Sequence, residues 1–353
     1  MKVCVYGIAK NESKFVERFV ESAKDADYVC VLDTGSDDGT AELLTSLGVI
    51  ARTQEIKPWR FDAARILSME LIPDDTDICI CMDMDEVLCE GWRESIEAQW
   101  GEHTTRGRHR LIWSHDKYGN PAIEYLSERV HKYGMYTWEH IVHETLVPIG
   151  QETCIEIADF TVEHFPDANK PRTQYLHLLE QDFEERPNDD RTAHYLGREY
   201  MFQGDYVQAI QQLERHLAMP NATWAEERSA SMRYAAKSYE ALGLYDAAQN
   251  WLYRACAESS TREPLVDMAA FQYRRGNMYG TAYFANAALQ ITNKQLNYIT
   301  SDEAWSALPH DLLAVASWYL GDKKTAKEQS RIACQLNPDD ARLQMNMLIC
   351  EEG

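Results

Sequence analysis

Short apolar runs alternate with amphipathic stretches through residues 1–165. KVCVYGIA reads as a strand, and SKFVERFVESAKDA places apolar residues at helical spacing. DYVCVLDTGS is a second strand ending in a turn, and DGTAELLTSLG a helix with a glycine stop. GVIARTQEI gives a third strand, FDAARILSMELIP a helix ended by Pro73, and TDICICMDMDE a fourth strand. Strands alternating with helices predict parallel βαβ units, with ligands beyond the carboxyl ends of the strands. From residue 105 the pattern changes. RHRLIWSHD, AIEYLSERVHKYG, HIVHETLV and TCIEIADFTVEHF are rich in aromatic and β-branched residues and predict further, partly antiparallel strands. Pro166 and Pro171 bracket an expected boundary.

Beyond residue 172 the periodicity is helical, and a repeat emerges. YLGREYMFQGDYVQAIQQL, YAAKSYEALGLYDAAQNWL and LLAVASWYLGDKKTAKEQS carry small residues at matching offsets. The anchors are Gly197, Tyr200, Gly204 and Ala209; Ala236, Tyr239, Gly243 and Ala248; and Ala314, Ser317, Gly321 and Ala326. A further copy is read on Ala270, Tyr273 and Ala282. The small position recurs at 197, 236, 270 and 314. This spacing resembles the tetratricopeptide repeat, a helix–turn–helix unit of about 34 residues.

One segment needs chemistry to explain it. In ICICMDMDEVL (78–88), an apolar run ends in Asp83, Asp85 and Glu86. Ionised carboxylates are costly to bury unpaired, so these groups reach water or hold a cation. Asp83 and Asp85 are two apart and would share a face of a regular strand. The net charge of −22 opposes binding to nucleic acid or anionic lipid. The nine cysteines lack paired zinc-site spacing, and Cys79 and Cys81 read as small core residues. Reduced thiols, no signal-peptide pattern in MKVCVYGIAKNES and no apolar span of membrane length predict a cytoplasmic protein.

Lys10-Asn11-Glu12, VLDTGSDDGT, WRFDAAR and CMDMDEVL, in that order, resemble the family-2-like glycosyltransferases of the GT-A fold. With the repeat, the likeness extends to bacterial and phage members that glycosylate peptides. The resemblance implies an α/β, Rossmann-like GT-A domain with a mixed sheet over 1–168. A connecting helix over 169–187 and tetratricopeptide-like repeats over 188–353 would follow. It implies an inverting transfer from a nucleotide-sugar, most often a UDP-sugar, to a peptide, protein or glycan. Mn²⁺ or Mg²⁺ would be held by carboxylate oxygens.

The resemblance also implies residue roles. Asp85 would ligate the metal, and Asp83 would contact the donor ribose or the metal's water. Asp33 would read the base, with Asp38 in the same loop. Asn11 and Glu12 would meet the nucleotide, and Arg65 would line its pocket, with Ile66 standing where the family commonly has Asn. His143 and Glu144 match a His-Glu pair. Glu144 is the first candidate for the general base and Glu139 the second. His164 and His143 are rival additional metal ligands. Trp59, Trp113 and Trp138 are candidates for sugar stacking or for the core. The repeats would dock the acceptor or self-associate into a homodimer. A nucleotidyltransferase is disfavoured, since the first strand lacks a glycine- and basic-rich loop. An alternative from another class is a repeat-based interaction scaffold with an inactive transferase domain.

Overall fold

The computed structural model describes residues 1–167 and 175–352. The chain divides into two compact units, Met1–Asp182 and Phe183–Gly353. Pro171 and the expected boundary at 168 lie outside the described residues.

The first unit begins as its periodicity predicts: β1 (Val3–Ala9), α1 (Ser13–Ser22), β2 (Tyr28–Asp33), α2 (Thr40–Ser46), β3 (Ile50–Thr53), α3 (Phe61–Met69) and β4 (Ile78–Asp83). There follow β5 (Glu86–Leu88), α4 (Trp92–Gln99), β6 (Arg106–His115), β7 (Pro121–Lys132), β8 (Tyr136–Glu139), β9 (Thr145–Pro148) and β10 (Cys154–His164). The eight-stranded sheet has the order β3-β2-β1-β4-β7-β6-β10-β5, and β8 and β9 form a separate ribbon. β1 runs parallel to β2 and β4, and β2 parallel to β3. β7 is antiparallel to β4 and β6, whereas β10 is parallel to β6. The sheet is therefore mixed.

Both faces of the sheet are covered. Val3, Val5, Ile78, Ile80 and Met82 pack with Val16 and Phe19 of α1, Leu44 of α2 and Trp92 and Ile96 of α4. The alternate positions Cys4, Tyr6, Cys79 and Cys81 pack with Tyr136, Trp138 and Leu146 of the β8–β9 ribbon. This two-sided burial explains why β4 reads as a continuous apolar run. It also makes Cys79 and Cys81 core residues. Gly7 lies against the Met82 carbonyl, where an added Cβ has no room.

Two sequence readings are corrected here. HIVHETLV is a strand only from Thr145. His140 and His143 have φ of 74° and 55°, so the segment before it is a loop with left-handed turns, not an extended run. Asp83 and Asp85 do not share a strand, because β4 ends at Asp83 and the chain turns before β5. α4 lies in GWRESIEAQW, a stretch in which the sequence reading placed no element.

α5 (Tyr175–Glu185) precedes an array of paired helices. These are α6 (Asp190–Gln203) with α7 (Tyr206–Ala218), α8 (Ala225–Ala241) with α9 (Tyr245–Glu258), and α10 (Glu263–Arg274) with α11 (Met278–Leu289). After the short α12 (Asp302–Trp305) come α13 (Leu308–Leu320) with α14 (Lys323–Leu336), then α15 (Ala341–Glu352). Each pair turns through a left-handed glycine, Gly204, Gly243, Gly276 or Gly321. In each turn the next amide reaches back to a carbonyl five residues earlier at 2.9 Å, as in Asp205 N to Tyr200 O and Asp322 N to Ser317 O. Asp205, Asn277 and Asp322 then cap the second helix of their pairs. Gly276 also corrects the register of the weaker copy by one residue. Its buried small positions are Ala269 and Thr281, both fully buried, rather than Ala270 and Ala282. The seven-residue step from Ala269 to Gly276 matches that from Gly197 to Gly204.

Candidate functional site

The chain order β1, β2, β3 grows to one side of β1, and β4 joins on the other. The sheet thus has a topological switch between β1 and β4, the place where open α/β sheets bind ligands. Ile8 is in register with Asp83 there.

Two loops flank this switch and are tied together. Asn11, at φ 56°, accepts from the Asp37 amide at 2.9 Å, and its own amide donates to Ser36 Oγ at 2.8 Å. The Glu12 amide donates to Thr40 Oγ1 at 2.9 Å. Asp38 accepts from the Ser13 amide at 3.0 Å and from the Thr40 amide at 3.1 Å, so one carboxylate serves the first turns of α1 and α2. Burial pushes the Asp38 carboxyl up, but the Thr40 hydroxyl and these amides outweigh it and hold it at about 2. Glu12 occupies the cap position without a side-chain cap bond, and the first turn has no acid. Asp33 is fully buried. Its carboxylate accepts from the Ser36 hydroxyl and from the amides of Gly35 and Ser36 at 3.2–3.3 Å, so it builds its own turn rather than facing outward.

Arg65 is the centre of the second cluster. α3 buries it to 2% exposure, with its guanidinium over the Trp138 ring at 5.6 Å. It holds Asp83 through one amino group and donates through Nε to Glu144 Oε1 at 3.0 Å. Arg129 takes the other Asp83 oxygen at 2.9 Å and Glu86 Oε1 at 3.3 Å. Glu86 Oε2 accepts the Asp83 amide at 2.8 Å. Burial raises the Asp83 carboxyl, but Arg129 and Arg65 overcome this and hold it far below the usual carboxylate range. Glu86 is pushed above the usual carboxylate range, because burial exceeds the pull of Arg129 and Asp83 repels its charge. Ile66 is 41% exposed, so the departure beside Arg65 faces away from this cluster.

Arg129 is the residue that sequence reading missed. Gly107 pairs with Val130 and His109 with Ser127, so β7 carries one extra residue there. The bulge brings Glu128 and Arg129 to the same face. Glu128 bonds Arg106 at 2.8 Å, and Arg129 bonds Asp83. No local pattern in SERVHK announces a bulge.

Asp85 and His164 form the third group. His164 pairs with Glu86 across β10 and β5. Its Nδ1 lies 2.8 Å from the Trp113 carbonyl and its Nε2 3.4 Å from Asp85 Oδ2. Trp113 stacks on the imidazole at 4.1 Å. Burial lowers the His164 pKa, but Asp85 and the Trp113 carbonyl outweigh it and leave the imidazole above its ordinary value. Both oxygens of Asp83 face arginines, Oδ1 toward Arg65 and Oδ2 toward Arg129. His143 stacks on Tyr175 at 5.8 Å. Glu139 ends β8 opposite Thr145. Asp182 of α5 accepts from the Ile141 amide and faces His140 Nδ1, both at 3.1 Å, fixing the loop that carries His143 and Glu144. Trp138 is core, donating through Nε1 to the Tyr6 hydroxyl at 3.1 Å, while Trp59 meets Phe61 edge-on.

No family model matches the chain, and none of the curated proteins does. Solved structures match about half of it. A thermophilic TPR protein of Thermus thermophilus is 16% identical, over 50% of this chain and 89% of its own, with a TM-score of 0.37. YrrB, described as a TPR protein with an unusual peptide-binding site, is 11% identical, over 49% and 82%, with a TM-score of 0.40. The C-terminal part of a TPR repeat-containing protein of Cytophaga hutchinsonii is 16% identical, over 50% and 64%, with a TM-score of 0.41. The helix pairs, each turning through a left-handed glycine, are themselves tetratricopeptide-like in form. Among the described residues, no helix is long and apolar enough to cross a membrane.

Proposed function

We propose that the Met1–Asp182 unit is a metal-dependent glycosyltransferase acting on a nucleotide-sugar donor. The observation that carries this reading is the convergence of Asp85 and His164 at 3.4 Å beside the sheet's topological switch. A carboxylate oxygen and an imidazole nitrogen fit Mn²⁺ or Mg²⁺ binding that leaves other positions to phosphate oxygens and water. When bound, such a cation offsets the charge that builds on a departing diphosphate. The Trp113 carbonyl fixes the His164 ring so that Nε2 faces Asp85. Arg65 and Arg129 add positive charge next to this group and orient Asp83 and Glu144. Glu144, oriented by its Arg65 bond, would accept the acceptor's proton as it attacks the anomeric carbon. The sequence resemblance supplies the inverting stereochemistry and the uridine preference of this reading.

The acceptor would be a hydroxyl or thiol of a peptide, protein or glycan, with the helical array as its docking surface. A second reading, an interaction scaffold alone, is favoured by large exposed rings along the array. Tyr279, Tyr283 and Tyr319 are 79%, 69% and 72% exposed. A thermal-shift screen separates the two readings. Nucleotide-sugars with and without Mn²⁺ are tested on wild type and Asp85→Ala. The transferase reading expects a metal-dependent rise in Tm with one sugar nucleotide, lost in the variant. A flat response across uridine, guanosine and thymidine sugars overturns it in favour of the scaffold.

A further inference from the structure

The helical array contains a group that the transferase reading does not use. Asp190 opens α6, His216 lies in the last turn of α7, and Glu227 lies in the first turn of α8. One donor atom from each lies within 4.8 Å of the other two. Among the described residues this is the one group of three histidine, cysteine or carboxylate side chains that meets this criterion.

His216 is the second observation. It is fully buried, and neither ring nitrogen has a hydrogen-bond partner. A buried imidazole with both nitrogens unsatisfied is costly unless something else engages it. Its Nε2 faces Glu227 Oε1 at 3.4 Å, an ion-pair distance whose geometry does not make a hydrogen bond. That separation also fits a bound ion. A tetrahedral ion with metal–ligand bonds of about 2.0–2.1 Å holds its donors roughly 3.3–3.4 Å apart. The remaining groups are fixed by neighbours. The Tyr298 hydroxyl donates to Glu227 Oε2, leaving Oε1 toward His216. Asn221 donates to Asp190 Oδ1 at 2.9 Å. Arg191, stacked over Tyr195 at 4.8 Å, and Arg198 are nearby cations that a bound ion must tolerate, and the two carboxylates offset part of that charge.

We propose that Asp190, His216 and Glu227 form a binding site for a divalent ion of the zinc class, which staples the first three helices of the array. One imidazole and two carboxylates suit zinc or cobalt(II), with a fourth position for water. The ion would cross-link the ends of α6, α7 and α8 and satisfy the His216 nitrogen that the protein leaves open.

The test uses the untagged full chain carrying Asp85→Ala, so that the other candidate site takes no part. After chelator treatment, the protein is titrated with Co²⁺ and followed by visible absorption and circular dichroism. The expected result is one equivalent bound, with the d–d spectrum of a four-coordinate ion. Affinity should fall by about tenfold or more on adding Asp190→Asn, and the spectrum should vanish with His216→Gln. Asp190 is half-buried at a helix start, so its variant decides the matter should His216→Gln fail to fold. Uptake that is absent in the folded protein, or unchanged by Asp190→Asn, overturns the site.

Discussion

Arg65 Nε donates to Glu144 Oε1 at 3.0 Å across 79 positions of sequence, from a helix to a loop. The same guanidinium holds Asp83. Replacing Arg65 by Met keeps much of the volume and strands Glu144, with 10% of its side chain exposed, without its cation. Breaking a buried pair from one side costs about 3 kcal/mol. The urea midpoint of the Met1–Asp182 transition should fall accordingly, and Glu144→Gln should cost much less. Equal midpoints for wild type and Arg65→Met would show that the cluster does not hold the loop.

His109 gives the pH dependence its sign. It stacks on Phe160 at 4.7 Å, its Nδ1 lacks a partner, and burial lowers its pKa from 6.5 to about 3. Between these values the unfolded chain binds more protons than the folded one, so stability is present above pH 6.5 and lost as pH falls. Going from pH 7 to pH 5 should cost about 1–2 kcal/mol through this residue. His109→Phe keeps the stack and removes the titration. Urea midpoints of the variant should depend less on pH over that interval, and an unchanged slope would refute the assignment.

Gly197 sets the distance between α6 and α7. A Cβ added there would stand 2.7 Å from Leu213 Cγ and 3.1 Å from its backbone nitrogen. Gly197→Ala gains about 1 kcal/mol of helix propensity but forces the helices apart at a cost of about 1–3 kcal/mol. A net drop in Tm of the helical unit is expected. Gly197→Ala with Leu213→Ala should lose less than the sum of the two single losses, since both act at one contact.

The cysteines should separate by burial. Cys4, Cys79 and Cys81 are at most 1% exposed, whereas Cys154 is exposed. Burial also pushes the Cys81 thiol up to about 11. Brief maleimide treatment of the folded chain should modify Cys154 first, as read by peptide mass spectrometry. Early labelling of Cys79 or Cys81 would contradict a β4 packed on both faces.

β1 to β4 and their helices are legible because the apolar runs are short and broken by turn formers such as Gly35, Gly48 and Pro73. The helical pairs were legible because Gly204, Gly243 and Gly321 mark identical turns. The third copy was misread by one residue because Ala269 and Ala270 are both small, and only packing shows which faces inward. His140–Glu144 reads as strand because Ile141 and Val142 are β-branched, while its path is set by two left-handed histidines and by Asp182 from a distant helix. In the candidate site, Arg65, Asp83 and Glu144 were named and do meet. Asp85 and His164 also meet, but through β5 returning along β10, a pairing with no local signature.

The bulge in β7 has a consequence that amounts to counting. A strand assigns faces by odd and even, so adjacent residues normally part company. The extra residue suspends that parity at Glu128 and Arg129 and gives both to one side. Deleting one of the two would restore the alternation, and the sheet could then keep either the Arg106 partner or the Asp83 partner, but not both.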